Sequence, residues 1–305
     1  MGYKKLLFIL PFDHRSTFAK GMFKINNEED LTAEQKEKIK NEKRIIYDAF
    51  KKAVDAGTPK EYAAILVDEE YGDEILKDAS SNGFITLVTT EKSGQKEFSF
   101  EYGNEFGEHI KKYNPTFAKA LVRYNPEDDR DSKERQAEQL KKLKDFCQKN
   151  DYKFMIEVLI EATEDQLASV GNDRNRFDTE IRQKLALGVI KEFQEQGIDP
   201  DVWKMEGMEK EEDYKRLIDQ AREGGRESVG IVVLGRGADQ GKVEKWISEG
   251  ASIEGIIGFA VGRTIFWDPL VMFSDGRINR EEVVDQISKN YIHFYNLFMQ
   301  ERQGA

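Results

Sequence analysis

Lys204 is the residue whose setting points most directly to chemistry. It lies in DVWKMEG (201–207), between Trp203 and Met205, in a segment that otherwise reads as a core strand. Burying an ammonium group is costly and depresses its pKa. A lysine depressed in this way is a nucleophile toward a carbonyl carbon and can form a Schiff base. The same residue can instead be half of a structural ion pair, with Glu157 on the neighbouring strand as partner. Lys119 also falls mid-strand, in TFAKALVRY (116–124). If the two lysines converge, its like charge lowers the Lys204 pKa further. Glu157, in KFMIEVLI (153–160), and Glu206, two residues after Lys204, are candidates either for proton transfer or for counter-ions.

A second constellation suits an anion. The last two strand candidates end in GRG (235–237) and GR (262–263). Many barrels bind phosphate at that place, through backbone N–H groups and a helix N-terminus. Gly235, Gly237 and Gly262 allow close backbone approach, and Arg263 can clamp an anion bidentately. Other strand ends supply Asp13, His14 and Arg15, then Asp68 and Glu69, Glu91 and Lys92, Arg123 and Glu161. Metal chemistry has less to draw on. The only histidines, His14, His109 and His293, are far apart and form no HExxH or HxH pattern. A zinc mechanism is therefore not expected and no cofactor is assigned, although a carboxylate-bound magnesium ion stays open. The single cysteine, Cys147, reads as a half-buried helix residue.

These side chains need elements to hold them. Short runs rich in Val, Ile, Leu and Phe predict strands at 5–12, 62–68, 84–90, 116–124, 153–160, 201–207, 228–235 and 253–262. Amphipathic segments predict helices at 33–56, 71–82, 103–113, 130–150, 176–197, 209–224, 238–249 and 280–299. Continuous apolar strands separated by helices imply a parallel sheet covered by helices. Eight strand–helix units predict a single (β/α)₈ TIM barrel spanning residues 1–305, with catalytic groups at the C-terminal strand ends. A doubly wound open sheet is the alternative. It would show a glycine-rich loop after the first strand, where this chain has PFDHRSTFAKG. The polar connection at 163–178 is expected to be a lid, a substrate loop or an ordinary surface loop.

Composition excludes some function classes. The 305 residues include 58 acidic and 47 basic side chains, a net charge of −11. That balance argues against nonspecific nucleic-acid binding. No apolar run approaches the length of a membrane span. The apolar N-terminal run meets Asp13, His14 and Arg15 with no small-residue cleavage site, so it reads as a buried first strand and not as a signal peptide. One cysteine cannot form an internal disulfide, which suits a reducing cytoplasm. The negative charge reads as a property of the helical shell. The predicted site is locally basic, through Arg15, Lys119, Lys204 and Arg263. The amphipathic final helix fits either a monomer or a homo-oligomer.

Together these motifs resemble the class I aldolases of the tagatose-bisphosphate aldolase type. ILVDEEYG (65–72), TTEKSG (89–94), AKALVRYNPED (118–128), DVWKMEG (201–207) and GFAVGRTIFW (258–267) occur in the order that family uses, across nearly the whole chain. FILPFDHR (8–15), IEATEDQL (160–167) and GIDPDVWKMEG (197–207) resemble a nearer relative. This is the aldolase-like domain found C-terminal to the inositol-catabolism sugar kinase, described as 2-deoxy-5-keto-gluconate 6-phosphate aldolase. The chain is expected to be that domain standing alone. The resemblance implies cleavage of a phosphorylated keto-sugar or keto-sugar acid to dihydroxyacetone phosphate and an aldehyde. It implies a Schiff base at Lys204, acid–base catalysis at Glu157 and a second active-site lysine at Lys119. It places phosphate at Gly262 and Arg263, and Asp13 and Arg15 near the substrate, where we also assign Glu206. The aldolase pattern has Gln where this chain has His14, and Ser where it has Gly235. Two other expectations remain: a different sugar-phosphate barrel enzyme (an isomerase or a metal-dependent lyase), and a non-catalytic sugar-phosphate-binding protein.

Overall fold

The computed structural model describes residues 2–304. Eight strands form one closed parallel barrel in sequence order. They are β1 (Leu7–Pro11), β2 (Ala63–Val67), β3 (Ile85–Thr89), β4 (Phe117–Arg123), β5 (Lys153–Leu159), β6 (Val202–Glu206), β7 (Gly230–Leu234) and β8 (Ile256–Ala260). Each lies inside its predicted run. The (β/α)₈ expectation therefore holds, and the open-sheet alternative does not, because β8 pairs with β1.

The outer ring consists of α1 (Ser16–Phe23), α2 (Ala33–Asp55), α3 (Glu69–Ser81), α4 (Phe106–Tyr113), α5 (Arg130–Lys149), α6 (Glu164–Ser169), α7 (Arg174–Glu180), α8 (Arg182–Glu195), α9 (Glu211–Arg222), α10 (Gln240–Ala251), α11 (Arg263–Ser274) and α12 (Arg280–Gln303). Local chemistry sets several starts. Thr32 with Gln35 and Asn279 with Glu282 form capping boxes at the heads of α2 and α12. The Asp68 carboxylate accepts from the Tyr71 N–H at the head of α3.

Three differences from the predicted elements have physical reasons. The segment 163–178 is not an open loop. Thr163 and Asp173 cap α6 and α7 there, and buried Gln166 bonds Asn125 of the neighbouring connection. The predicted helix at 176–197 is broken at Ile181 into α7 and α8. Helix α11 follows β8 directly. Its sequence, RTIFWDPLVMFS, is apolar nearly all round and contains Pro269, so it carries little helical periodicity. It packs against α1, which was also not predicted. A methyl group added to Gly21 of α1 would lie 2.3 Å from the Trp267 ring of α11.

Two apolar layers result. Leu7, Ile9, Leu66, Leu87, Phe117, Met155, Val202 and Val232 fill one end of the barrel interior. A larger cluster, including Phe154, Ile156, Trp203 and Met205, lies between the barrel and its helices. Strand side chains alternate between these faces. Lys119, Glu157 and Lys204 each stand two residues beyond an interior residue, Phe117, Met155 and Val202. The period of two turns them inward, directly above the apolar plug.

Candidate active site

Three charged side chains meet at the top of that plug. The Lys204 ammonium lies 2.8 Å from Glu157 Oε2, and the Lys119 ammonium lies 2.8 Å from the same oxygen. Glu157 and Lys204 are direct cross-strand partners on β5 and β6, while Glu157 faces Leu121 on β4. Barrel closure therefore makes the cluster from three adjacent strands. All three residues are buried. The lysines converge as anticipated, but Lys119 has more company. Its ammonium also pairs with Asp13 at 2.9 Å and Glu91 at 2.6 Å. Burial opposes its charge, yet Asp13, Glu157 and Glu91 outweigh burial and hold Lys119 well above the ordinary lysine range. Its positive field toward Lys204 is thereby offset by three carboxylates.

The same pairing acts on the carboxylates. Burial alone would raise the Asp13 pKa, but Lys119 and then Lys204 bring it far below the usual range. Glu157 is likewise lowered, with burial again opposed by Lys119 and Lys204. Glu157 is therefore ionised at neutral pH and ready to accept a proton.

Arg15 lines the cavity, but both of its terminal nitrogens are engaged. One reaches Glu101 Oε2 and the other the Glu91 carbonyl, both at 2.6 Å. It fastens the segment after β3, where Glu91 bridges Phe100, and so holds Glu91 against Lys119. Asp68 is not brought to this site. It pairs with Lys43 in a buried ion pair behind α3.

The phosphate-type residues gather on the opposite wall. Gly235, Arg236, Gly237, Gly262 and Arg263 line the same cavity as Asp13, His14, Lys119, Glu157 and Lys204, and its volume is about 180 Å³. Helix α11 starts at Arg263 with Gly262 before it and no side-chain cap. The Ile265 N–H turns back to the Gly262 carbonyl at 2.8 Å, so the Arg263 and Thr264 amides are the ones placed to meet an anion. Gly237 has φ +75°, and a Cβ there would stand 2.6 Å from Arg263 Nη2. Only glycine lets the guanidinium rest on this turn. Arg263 donates to the Arg236 carbonyl at 3.1 Å and forms no ion pair among the described residues. Burial lowers its pKa, and Glu157 partly offsets that. The expectation of a locally basic site rested on Arg15, Lys119, Lys204 and Arg263, and these four are not alike in their surroundings. Arg15, Lys119 and Lys204 are paired with carboxylates, whereas Arg263, Lys92 and Lys96, which also line the cavity, form no ion pair among the described residues.

Glu206 is buried beyond Lys204. Its Oε2 accepts from the Ile160 N–H at 3.0 Å, and Arg236 Nη1 lies 2.7 Å from its Oε1. Burial raises its pKa, against the pull of Arg182 and Arg236. Glu206 does not line the cavity. It acts on Arg236, which adopts a left-handed backbone (φ +49°) uncommon for a non-glycine residue.

Comparison with known proteins decides the family. Residues 2–302 match the family described as "Uncharacterized protein conserved in bacteria (DUF2090)". The chain belongs to this family. The comparison with curated proteins found no match. Among solved structures, the DUF2090 chain is similar to a fructose-bisphosphate aldolase from Plasmodium falciparum, with TM-score 0.65 and 14 % identity over 97 % of this chain and 91 % of that one. It is also similar to Cgl0159 from Corynebacterium glutamicum, with TM-score 0.57 and 15 % identity over 94 % and 85 %. A fructose-bisphosphate aldolase from Slackia heliotrinireducens gives TM-score 0.57 and 12 % identity over 93 % and 86 %. At these identities the likeness is one of fold.

Sequence reasoning assigned no role to two residues that shape this DUF2090 site. Glu91 follows β3 in TTEKSG, and its inward parity with Leu87 and Thr89 was the available signal. Arg236 was read only through its flanking glycines, and no local pattern reveals the left-handed turn that aims it at Glu206.

Proposed function

We propose that this protein is a class I aldolase that cleaves a phosphorylated keto-sugar or keto-sugar acid. The observation that carries the reading is Lys204, buried among barrel residues with its amine 2.8 Å from a carboxylate that Lys119 also holds. The uncapped start of α11 and the unpaired Arg263 border the same cavity. The fold shared with two fructose-bisphosphate aldolases adds support at the level of architecture.

In this scheme Arg263, Gly235, Gly237 and the α11 amides hold the phosphate and bring the ketone to Lys204. Lys204 passes a proton to Glu157, and its neutral amine adds to the ketone carbon. Glu157 returns that proton to the carbinolamine hydroxyl, which leaves as water and gives an iminium. The iminium accepts the electron pair of the bond between its α and β carbons as that bond breaks. The proton of the departing alcohol goes to Glu157, releasing an aldehyde and leaving an enamine. Glu157 returns the proton to the enamine carbon, and water hydrolyses the resulting iminium to dihydroxyacetone phosphate. Cationic Lys119 stays charged throughout and holds Asp13, Glu91 and Glu157 in place.

The Lys204–Glu157 pair also fits a structural ion pair, and one experiment separates the two. Borohydride reduction in the presence of dihydroxyacetone phosphate, followed by peptide mass spectrometry, is expected to place a stable adduct on Lys204. Lys204→Ala is expected to remove it. An adduct elsewhere, or one that survives the substitution, defeats the proposal.

A further inference from the structure

His14 lines the cavity yet has no part in the scheme above. It stands between Asp13 and Arg15, and its ring meets Phe266 of α11 edge-on with centroids 6.1 Å apart. Its Nδ1 is shut away from solvent without a hydrogen-bond partner. The other two histidines are accounted for. His109 stacks on Tyr102 and bonds Glu69, and His293 bonds Glu244 at the surface. A buried polar atom left unpaired is costly and is uncommon in folded proteins. In a cavity, the partner it lacks is a group of the ligand.

The surroundings define that group. Burial brings the His14 pKa down to about 4; Asp13 opposes this, and Arg263 and Lys204 add to it. The imidazole is therefore neutral at neutral pH, with one donor and one acceptor nitrogen. His14 lines the same cavity as Lys204 and Arg263, so it borders the space where the proposed scheme puts the ketone. An anionic substituent there would call for a cation. A hydroxyl, which both gives and takes a hydrogen bond, matches a neutral imidazole. A half-turn about Cβ–Cγ, a soft two-fold torsion, exchanges Nδ1 with Cδ2 and so changes which ring edge is open to a ligand.

We propose that His14 reads a hydroxyl on the carbon next to the ketone, making the protein selective for hydroxyketone phosphates over their deoxy analogues. This rests on the Schiff-base reading of Lys204. The test compares borohydride trapping rates with dihydroxyacetone phosphate and with hydroxyacetone phosphate, which lacks that hydroxyl. The native protein is expected to favour the first. His14→Ala and His14→Leu are expected to lower the preference ratio about fivefold or more, and His14→Gln, which keeps a donor and an acceptor, to retain most of it. A ratio unchanged in both His14→Ala and His14→Leu, with adducts still formed on Lys204, overturns the role of His14 alone. No adduct with either ketone in the native protein overturns the Schiff-base reading and this inference with it.

Discussion

Lys119 is buried at a point where no ammonium could stay without its neighbours. Asp13, Glu91 and Glu157 surround it within 2.9 Å. Removing the cation leaves three carboxylates facing one another in a dry site. Lys119→Met is therefore expected to destabilise the fold by about 3–5 kcal/mol, measured by urea unfolding at pH 7. The same change has a kinetic signature. Lys119 and Lys204 hold the Glu157 pKa down, so the native protein should keep its proposed activity down to the ordinary carboxylate range. In Lys119→Met the acid limb of the pH–rate profile should move to higher pH. Glu157→Gln should lower the cleavage rate about 10²–10⁴-fold while the fold persists, as read by product release and circular dichroism.

At the scale of elements, strand parity does most of the positioning. Strands β4, β5 and β6 each carry an inward charged residue just above the interior plug, Lys119, Glu157 and Lys204, and strand pairing brings the three together. The register depends on barrel closure between β8 and β1. There Gly258 has φ +151°, and a Cβ would approach the Leu7 carbonyl oxygen to 2.0 Å. Gly258→Ala should therefore lower stability by about 1–3 kcal/mol or more, seen as a drop in Tm. It should weaken activity as well, because Asp13 and Arg263 stand on either side of that seam. In the first turn of α11 the Ile265 carbonyl accepts from the Asn290 side chain of α12 at 2.9 Å, tying the start of this helix to the outer shell.

Across the whole molecule, two kinds of carboxylate set the pH dependence of stability in opposite senses. Asp13 and Glu157 are lowered on folding. Their contribution is complete above the unfolded carboxylate value of about 4 and is lost as pH falls below it. Glu42, buried on α2 with both carboxylate oxygens unpartnered, behaves the other way. Burial pushes it up to about 7, slightly offset by Lys38. The folded state then binds the extra proton, so stability falls as pH rises from the unfolded glutamate value to about 7 and is flat above. Glu42→Gln should raise the Tm at pH 8 by the equivalent of about 1–2 kcal/mol and flatten the curve across that interval.

The strand runs, the helix-forming stretches between them and the absence of a dinucleotide loop were enough to specify a (β/α)₈ barrel from sequence. This is because apolar periodicity directly reflects which faces must leave water. Lys204, Lys119 and Glu157 were legible for the same reason, as charges in segments that otherwise read as core. The pairing of Lys204 with Glu157 was legible too, but the other partners of Lys119 and those of Arg15 were not. Glu91 meets Lys119 from a connection 28 positions away in the chain, and Arg15 spends its charge on Glu101 across 86 positions. Ion pairing depends on distance and burial after closure, which no local pattern encodes. The tertiary structure alone therefore decided that, within a chain of net charge −11, Lys119 and Lys204 are held by Asp13, Glu91 and Glu157, while Arg263 on the opposite wall forms no ion pair among the described residues.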